Sequence, residues 1–171
     1  MPVFFLDSSA IVKRYVAESG STWVQALCDD RDSVIILGEI TLAEVAAAFS
    51  RIVRERRVMP LERQEFLDLF LGDADEEYEL APIDRSIIDI AVDLTQRHPL
   101  RGYDAVQLAT ALNVNEELVE LELPELVFVA ADGVLLAAAE AEGLDARNPI
   151  HQQTDENAGD AMGHGEGERQ S

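Results

Sequence analysis

Residues 3–7 read VFFLD and residues 127–132 read VFVAAD, two short apolar runs that each close on an aspartate. Runs of this length and composition are the pattern of strands buried on both faces of a parallel sheet. Ligands of such sheets gather at the carboxyl edge of the strands, so Asp7 and Asp132 stand where ligand-facing groups belong. Working outward, SVIIL at 33–37 reads as a second buried strand, Glu79 to Pro82 as a short one and Leu144 to Asn148 as an edge. Helical periodicity fills the intervals: 9–17, broken near Gly20, then 21–29, then 41–57 with Thr41 as N-cap. After a break at Pro60 come 61–77, the amphipathic 86–98, the stretch bearing Asp104, and 134–142 closed by Gly143. Strands separated by helices predict an α/β protein, a three-layer α/β/α sandwich around a central parallel sheet.

A length of 171 residues suits one domain, expected over residues 1–150. Residues 151–171 lose all periodicity and almost all large apolar side chains, and are expected to form a disordered acidic tail. The Glu-dense segment 113–125 is read as a continuation of the preceding helix that then loops outward. No apolar run approaches the ~20 residues of a membrane span. The N-terminus enters a strand pattern directly, so no signal peptide is expected. One cysteine, Cys28, excludes an internal disulfide and is assigned to core packing; a reducing cytoplasm is the expected compartment.

Charge is the anomaly. The balance is 13 − 34 = −21, and Lys13 is the single lysine. Such acidity ordinarily argues against a nucleic-acid partner, whose binding rests on phosphate neutralisation. It also resembles the halophilic pattern of a molar-salt cytosol, where a Debye length of about 3 Å screens self-repulsion. A merely acidic protein of an ordinary cytosol is the alternative.

Two further carboxylates lie in helical stretches, Glu44 in TLAEVAAAF and Asp104 in GYDAVQLATAL. Each of the four has a plain structural explanation beside the functional one. Asp7 before Ser8-Ser9 is a good helix N-cap, Asp132 before Gly133 a good turn, and Asp104 sits in a first turn favoured by the helix dipole. Glu44 is harder to explain away, because Ile40, Ala47 and Ala48 share its face and a carboxylate among apolar neighbours needs a partner. Small Ala47 and Ala48 would leave room for a groove with Arg51 a turn further on. Brought together, four carboxylates cannot all stay ionised without a cation, and an oxygen-only set suits Mg²⁺ or Mn²⁺. No histidine pair at ligand spacing, Gly-rich phosphate loop or Ser or Cys nucleophile competes, which leaves a metal ion as the agent for activating water.

The stretches FLDSSAIVKRYVAESGS, GEITLAEVAAAFSR, LRGYDAVQLATAL and VFVAADGVLLAAAEAEGL, followed by Asn148-Pro149, together resemble the PIN domain, and within it the VapC-type toxin ribonucleases. They occur in that family's order over about residues 3–149. The resemblance implies a PIN fold and a Mg²⁺- or Mn²⁺-dependent endoribonuclease that hydrolyses RNA by in-line attack of a metal-activated water. It implies Asp7 and Asp104 as principal metal ligands, Glu44 completing the site or orienting water, and Asp132 ligating directly or through water. Ser9 is then the small polar neighbour of the first aspartate, and Arg51 and Arg54 are candidates for substrate contact. A cognate antitoxin and a homodimer are the implied partners, with no membrane association. Lys13, Arg14, Arg56, Arg57, Arg85 and Arg101 are further basic side chains available to RNA. Two other readings stand beside this one: a PIN nuclease of RNA processing without an antitoxin, and a catalytically weak PIN module that binds rather than cuts. An α/β phosphatase would need a second aspartate two residues after Asp7, where Ser9 stands instead.

Overall fold

Side-chain alternation along the first strand sets up both halves of the core. In the computed structural model, which describes residues 1–55 and 57–152, β1 (Val3–Leu6) turns Val3 and Phe5 to one face of a sheet and Phe4 and Leu6 to the other. All four are buried, which is why the run is apolar throughout rather than alternating. The chain continues through α1 (Ser8–Tyr15), α2 (Ser21–Asp29), β2 (Val34–Gly38), α3 (Ile40–Arg54), α4 (Pro60–Glu76) and β3 (Glu79–Ala81). It ends with α5 (Arg85–Arg97), α6 (Gly102–Glu120), β4 (Leu126–Val129), α7 (Gly133–Ala141) and β5 (Asp145–Arg147).

The five strands are parallel in the order β3-β2-β1-β4-β5. Phe5 sits opposite Ile36 of β2 on one side and Phe128 of β4 on the other, and the Phe5 and Phe128 rings stack at 5.8 Å. Helices α1 to α4 pack with Phe4, Leu6, Ile35 and Leu37 on one face; α5, α6 and α7 cover Phe5, Ile36 and Phe128 on the other. This is the three-layer α/β/α sandwich expected from the sequence. Fully burying side chains such as Phe5, Phe49, Phe70 and Phe128 contributes roughly 1.5–3 kcal/mol apiece.

The order places β1 at the centre, with the chain leaving it toward β2 on one side and returning beside it as β4 on the other. That reversal opens a crevice at the carboxyl ends of β1 and β4. Asp7 and Asp132 follow those two strands.

Several local expectations change. Thr41 is not the cap of α3: the helix begins at Ile40, and Thr41 is wholly buried inside its first turn. Pro60 does not merely break the chain but opens α4 as its first residue, where its missing N–H costs nothing. Gly143 follows α7 with φ +95°, the left-handed conformation that a side chain would resist. The Glu-dense segment does continue α6, as far as Glu120, and Asn115 Oδ1 then accepts from the Leu126 N–H to start β4. Of the expected tail, residues 151 and 152 belong to a helical turn that begins at 149, and 153–171 lie outside the described residues.

Candidate active site

At the crevice, Asp7 accepts the Ala10 N–H at 3.0 Å and the Ser9 hydroxyl at 2.7 Å, both on Oδ1. Asp132 does the same for α7, its Oδ1 accepting from Val134 N at 2.8 Å and Leu135 N at 3.0 Å. Both aspartates are therefore N-caps, and the cap occupies one oxygen of each. Capping uses one oxygen of each carboxylate and so does not preclude a role for the other in the cleft that both residues line. Ser9 ties the two strand ends together: its hydroxyl donates to Asp7 and accepts from the Ala131 N–H at 2.8 Å. It orders Asp7, with its hydroxyl engaged on both sides.

Asp104 comes from the first turn of α6 and Glu44 from the middle of α3. The four carboxylates line a single cleft of about 560 Å³, shared with Ser8, Ala47, Ala48, Arg51, Arg54, Arg101 and Tyr103. Glu44 is half-buried at this cleft rather than set inside the core: Ala47 is exposed, and Ala48, though it packs partly against the core, also forms cleft wall. Glu39, just before α3, is exposed and absent from the lining.

Proton affinities report the crowding. Asp7 is 4 % exposed, and burial pushes its carboxyl up to about 7 against the hydrogen bonds from Ser9 and Ala10, with Glu44 and Asp104 adding repulsion. Burial also raises Glu44, opposed by hydrogen bonds from Gln107 and Ser8 and reinforced by Asp104. Asp104 is raised by burial and then by Asp132, while the Arg101 backbone and charge pull the other way. The cluster is electrostatically one unit.

As a donor set it fits a hard divalent cation in kind: four carboxylates and hydroxyl oxygens, without imidazole or thiolate. The oxygens stand apart, as mutually repelling groups do. Among the described residues no three His, Cys, Asp or Glu side chains are already gathered as a metal cage. His98 plays no part; its Nε2 faces Glu142 at 2.5 Å, beside Arg97, at the far ends of α5 and α7.

The basic residues sort sharply. Lys13 is 5 % exposed and paired with Glu18 at 2.9 Å. Arg14 is enclosed by Asp29, Asp73, Glu77 and Tyr78. Arg57 pairs with Glu18 and Glu55, and Arg85 with Asp89. None of these lines the cleft; Arg56 falls outside the described residues. Arg51, Arg54 and Arg101 do line it, the first two from the last turn of α3. Cys28 packs partly against the α1–α4 core but also borders a polar hollow with Arg14 and Tyr78, so it is not simply core.

Two residues, one in the cleft and one buried behind it, are not singled out by the sequence. Tyr103, 65 % exposed beside Asp104, is the only aromatic in the lining. Gln107 donates to Glu44 from beneath; its signal is a lone amide within the apolar run AVQLATAL.

Comparison with known proteins agrees with this architecture. Ribonuclease VapC45 of Mycobacterium tuberculosis is 31 % identical over 150 residues, spanning 84 % of this chain and 93 % of that protein. Among solved structures, PAE2754 from Pyrobaculum aerophilum superposes with a TM-score of 0.61 at 18 % identity, over 92 % of this chain and 90 % of that one. VapBC2 from Rickettsia felis, bound to a DNA fragment from its promoter, reaches 0.56 at 15 % identity, over 85 % and 98 %. These two likenesses speak to fold alone. The PIN domain family matches residues 4–122, and on that match, the identity to VapC45 and the four-acid crevice, this chain belongs to the PIN-domain family.

Proposed function

We propose that the chain is a Mg²⁺- or Mn²⁺-dependent endoribonuclease, the toxin of a toxin–antitoxin pair acting in the cytoplasm through a domain over residues 1–150. The observation that carries this reading is the convergence of Asp7, Glu44, Asp104 and Asp132, from four separate elements, on one cleft whose cations are arginines at the mouth. The identity to a protein named as a ribonuclease supplies the substrate class. No helix among the described residues is long and apolar enough to cross a membrane.

Asp7 and Asp104 are the principal ligands in this reading, with Glu44 and Asp132 completing the set. A bound divalent ion would supply Lewis acidity and charge neutralisation for an in-line displacement at phosphorus. The protein's own contribution is positional. The caps at Asp7 and Asp132 fix one oxygen of each carboxylate, so the other keeps its direction when charge arrives. Arg51, Arg54 and Arg101 offer guanidinium forks to the phosphates flanking the scissile one. Tyr103 presents an exposed ring at the same mouth, on which an unpaired base can stack.

Overall acidity does not contradict this, because the phosphate-neutralising charge is local and the surface repulsion is screened in strong salt. We propose a salt-rich cytosol as the setting of the −21 balance. A cognate antitoxin covering the cleft and a homodimer complete the proposal, by analogy with the VapC-type proteins the chain resembles.

The test is cleavage of a structured RNA mixture in molar KCl with Mg²⁺ or Mn²⁺, wild type against Asp7→Asn. Metal-dependent cleavage that falls at least about 100-fold in the variant is expected. Equal cleavage by both proteins would remove Asp7 from the site, and pure folded wild type that cuts no RNA under any metal would favour the binding-module reading.

A further inference from the structure

Gln107 lies in α6 at 1 % exposure, between Val106 and Leu108, where an amide must find partners or cost stability. Its Nε2 has two, both on α3: Thr41 Oγ1 at 2.8 Å and Glu44 Oε2 at 2.6 Å. Its Oε1 is buried with no partner among the described residues. An ionised carboxylate only accepts, so the amide nitrogen has to face Glu44 and the oxygen has to face away. On that side stands Gly38, at the end of β2. A Cβ built there would meet Gln107 Oε1 at 3.2 Å, closer than ordinary contact.

Three residues spaced three apart, one at the end of β2 and two on α3, thus set one side chain. Gly38 leaves room for the amide oxygen, buried Thr41 anchors the amide nitrogen, and the remaining N–H reaches Glu44. Leucine would fill this space with no unpaired oxygen, so packing alone gives no reason for an amide. Glu44 supplies the reason. It is half-exposed on a helix facing the cleft, where a glutamate has several rotamers open to it, and the buried amide adds a fixed partner beside the Ser8 hydroxyl.

We infer that Gln107 is a positioning residue of the cleft, holding the Glu44 carboxylate turned inward so that it joins Asp7 and Asp104 in binding a divalent cation. This rests on the metal-dependent reading of the cleft. Groups that orient a ligand from behind typically control metal affinity by about 10- to 100-fold.

The test is Mn²⁺ binding by titration calorimetry on full-length wild type, Gln107→Leu and Gly38→Ala, with thermal unfolding of each recorded in EDTA. Gln107→Leu should stay folded, weaken Mn²⁺ about tenfold or more, and lower kcat for RNA while leaving KM unchanged. Gly38→Ala, which crowds the amide without removing it, should weaken Mn²⁺ in the same direction by a smaller factor. In wild type the Gln107 side-chain amide resonances should move on adding Mg²⁺, and this movement should vanish in Glu44→Gln. Folded Gln107→Leu with wild-type Mn²⁺ affinity would overturn the inference and leave the nuclease reading standing. Wild type that binds no Mn²⁺ would overturn both. If Gln107→Leu does not fold, Gly38→Ala and the amide resonances decide: unchanged affinity and unmoved resonances would overturn the inference.

Discussion

Two acidic clusters of this protein are built from the same side chains and finished differently. Beside α1, Asp29, Asp73 and Glu77 surround Arg14, whose guanidinium reaches Glu77 at 2.9 Å and lies 5.6 Å from the Tyr78 ring centre. In the cleft, Asp7, Glu44, Asp104 and Asp132 crowd one another, and none of the ion pairs among the described residues involves any of them. Beside α1 the fold itself brings a cation to the carboxylates. Where it brings none, the proton affinities of Asp7, Glu44 and Asp104 are raised, which is why we propose that a cation from outside completes this site.

The largest effect that can break this contrast is on stability against pH. Asp7 has its folded proton affinity raised from the usual 3.8 to about 7, chiefly by burial. A raised group contributes stability that is complete below its unfolded value and lost as pH rises through the folded one. Metal-free protein should therefore lose stability between about pH 4 and pH 7 on account of Asp7, by at most roughly 4 kcal/mol. Asp7→Asn keeps an oxygen for the cap and cannot ionise. In EDTA it should unfold at a higher temperature than wild type at pH 8 and nearly the same temperature at pH 4.5. Adding Mg²⁺ at pH 8 should close the gap by stabilising wild type alone. A variant that is less stable than wild type at both pH values would show that the charge of Asp7 is not strained.

Arg14→Leu tests the other half. Removing the cation leaves Asp73 and Glu77 facing one another and strips the Tyr78 hydroxyl of a donor. Breaking a pair this enclosed should cost about 2–4 kcal/mol in chemical denaturation, discounted because Asp29 and Glu77 are well exposed. Mg²⁺ should stabilise this variant as much as it does wild type, since the cluster is no metal site. Mg²⁺ that rescues Arg14→Leu by more would mean that the two clusters are less distinct than their partners suggest.

The comparison also explains what could be read from sequence. Strands β1 and β4 were legible because they are apolar on both faces and end in aspartate, and α2 was legible residue for residue from its periodicity. The four acids were legible because each interrupts an otherwise apolar pattern. What one dimension hides is which charges are already spoken for. Lys13 and Arg14 look available in IVKRYVAES, yet one is buried against Glu18 and the other is matched by residues sixty positions downstream on α4. Thr41 looks like a cap until α6 arrives beside it and Gln107 claims its hydroxyl. Both misreadings arise from long-range partners, which spacing along the chain cannot show.

The smallest expected effect sharpens the division inside the cleft, between a floor of carboxylates and a mouth to which we assign the RNA contacts. Tyr103 is joined to the floor through neighbouring Asp104, but it also borders an apolar groove with Ile88, Val92 and Val106. In the proposed function a base flanking the scissile phosphate stacks on that exposed ring, and stacking of this kind contributes roughly 1–3 kcal/mol per base. Tyr103→Ala should therefore raise KM for single-stranded RNA about tenfold, with Mn²⁺ affinity and kcat near wild type, and Tyr103→Phe should restore KM because the ring, not the hydroxyl, makes the contact. Steady-state kinetics on a short oligonucleotide measure this directly. If Tyr103→Ala weakens Mn²⁺ instead, the residue belongs with Asp104 on the floor, and the mouth reduces to its three arginines.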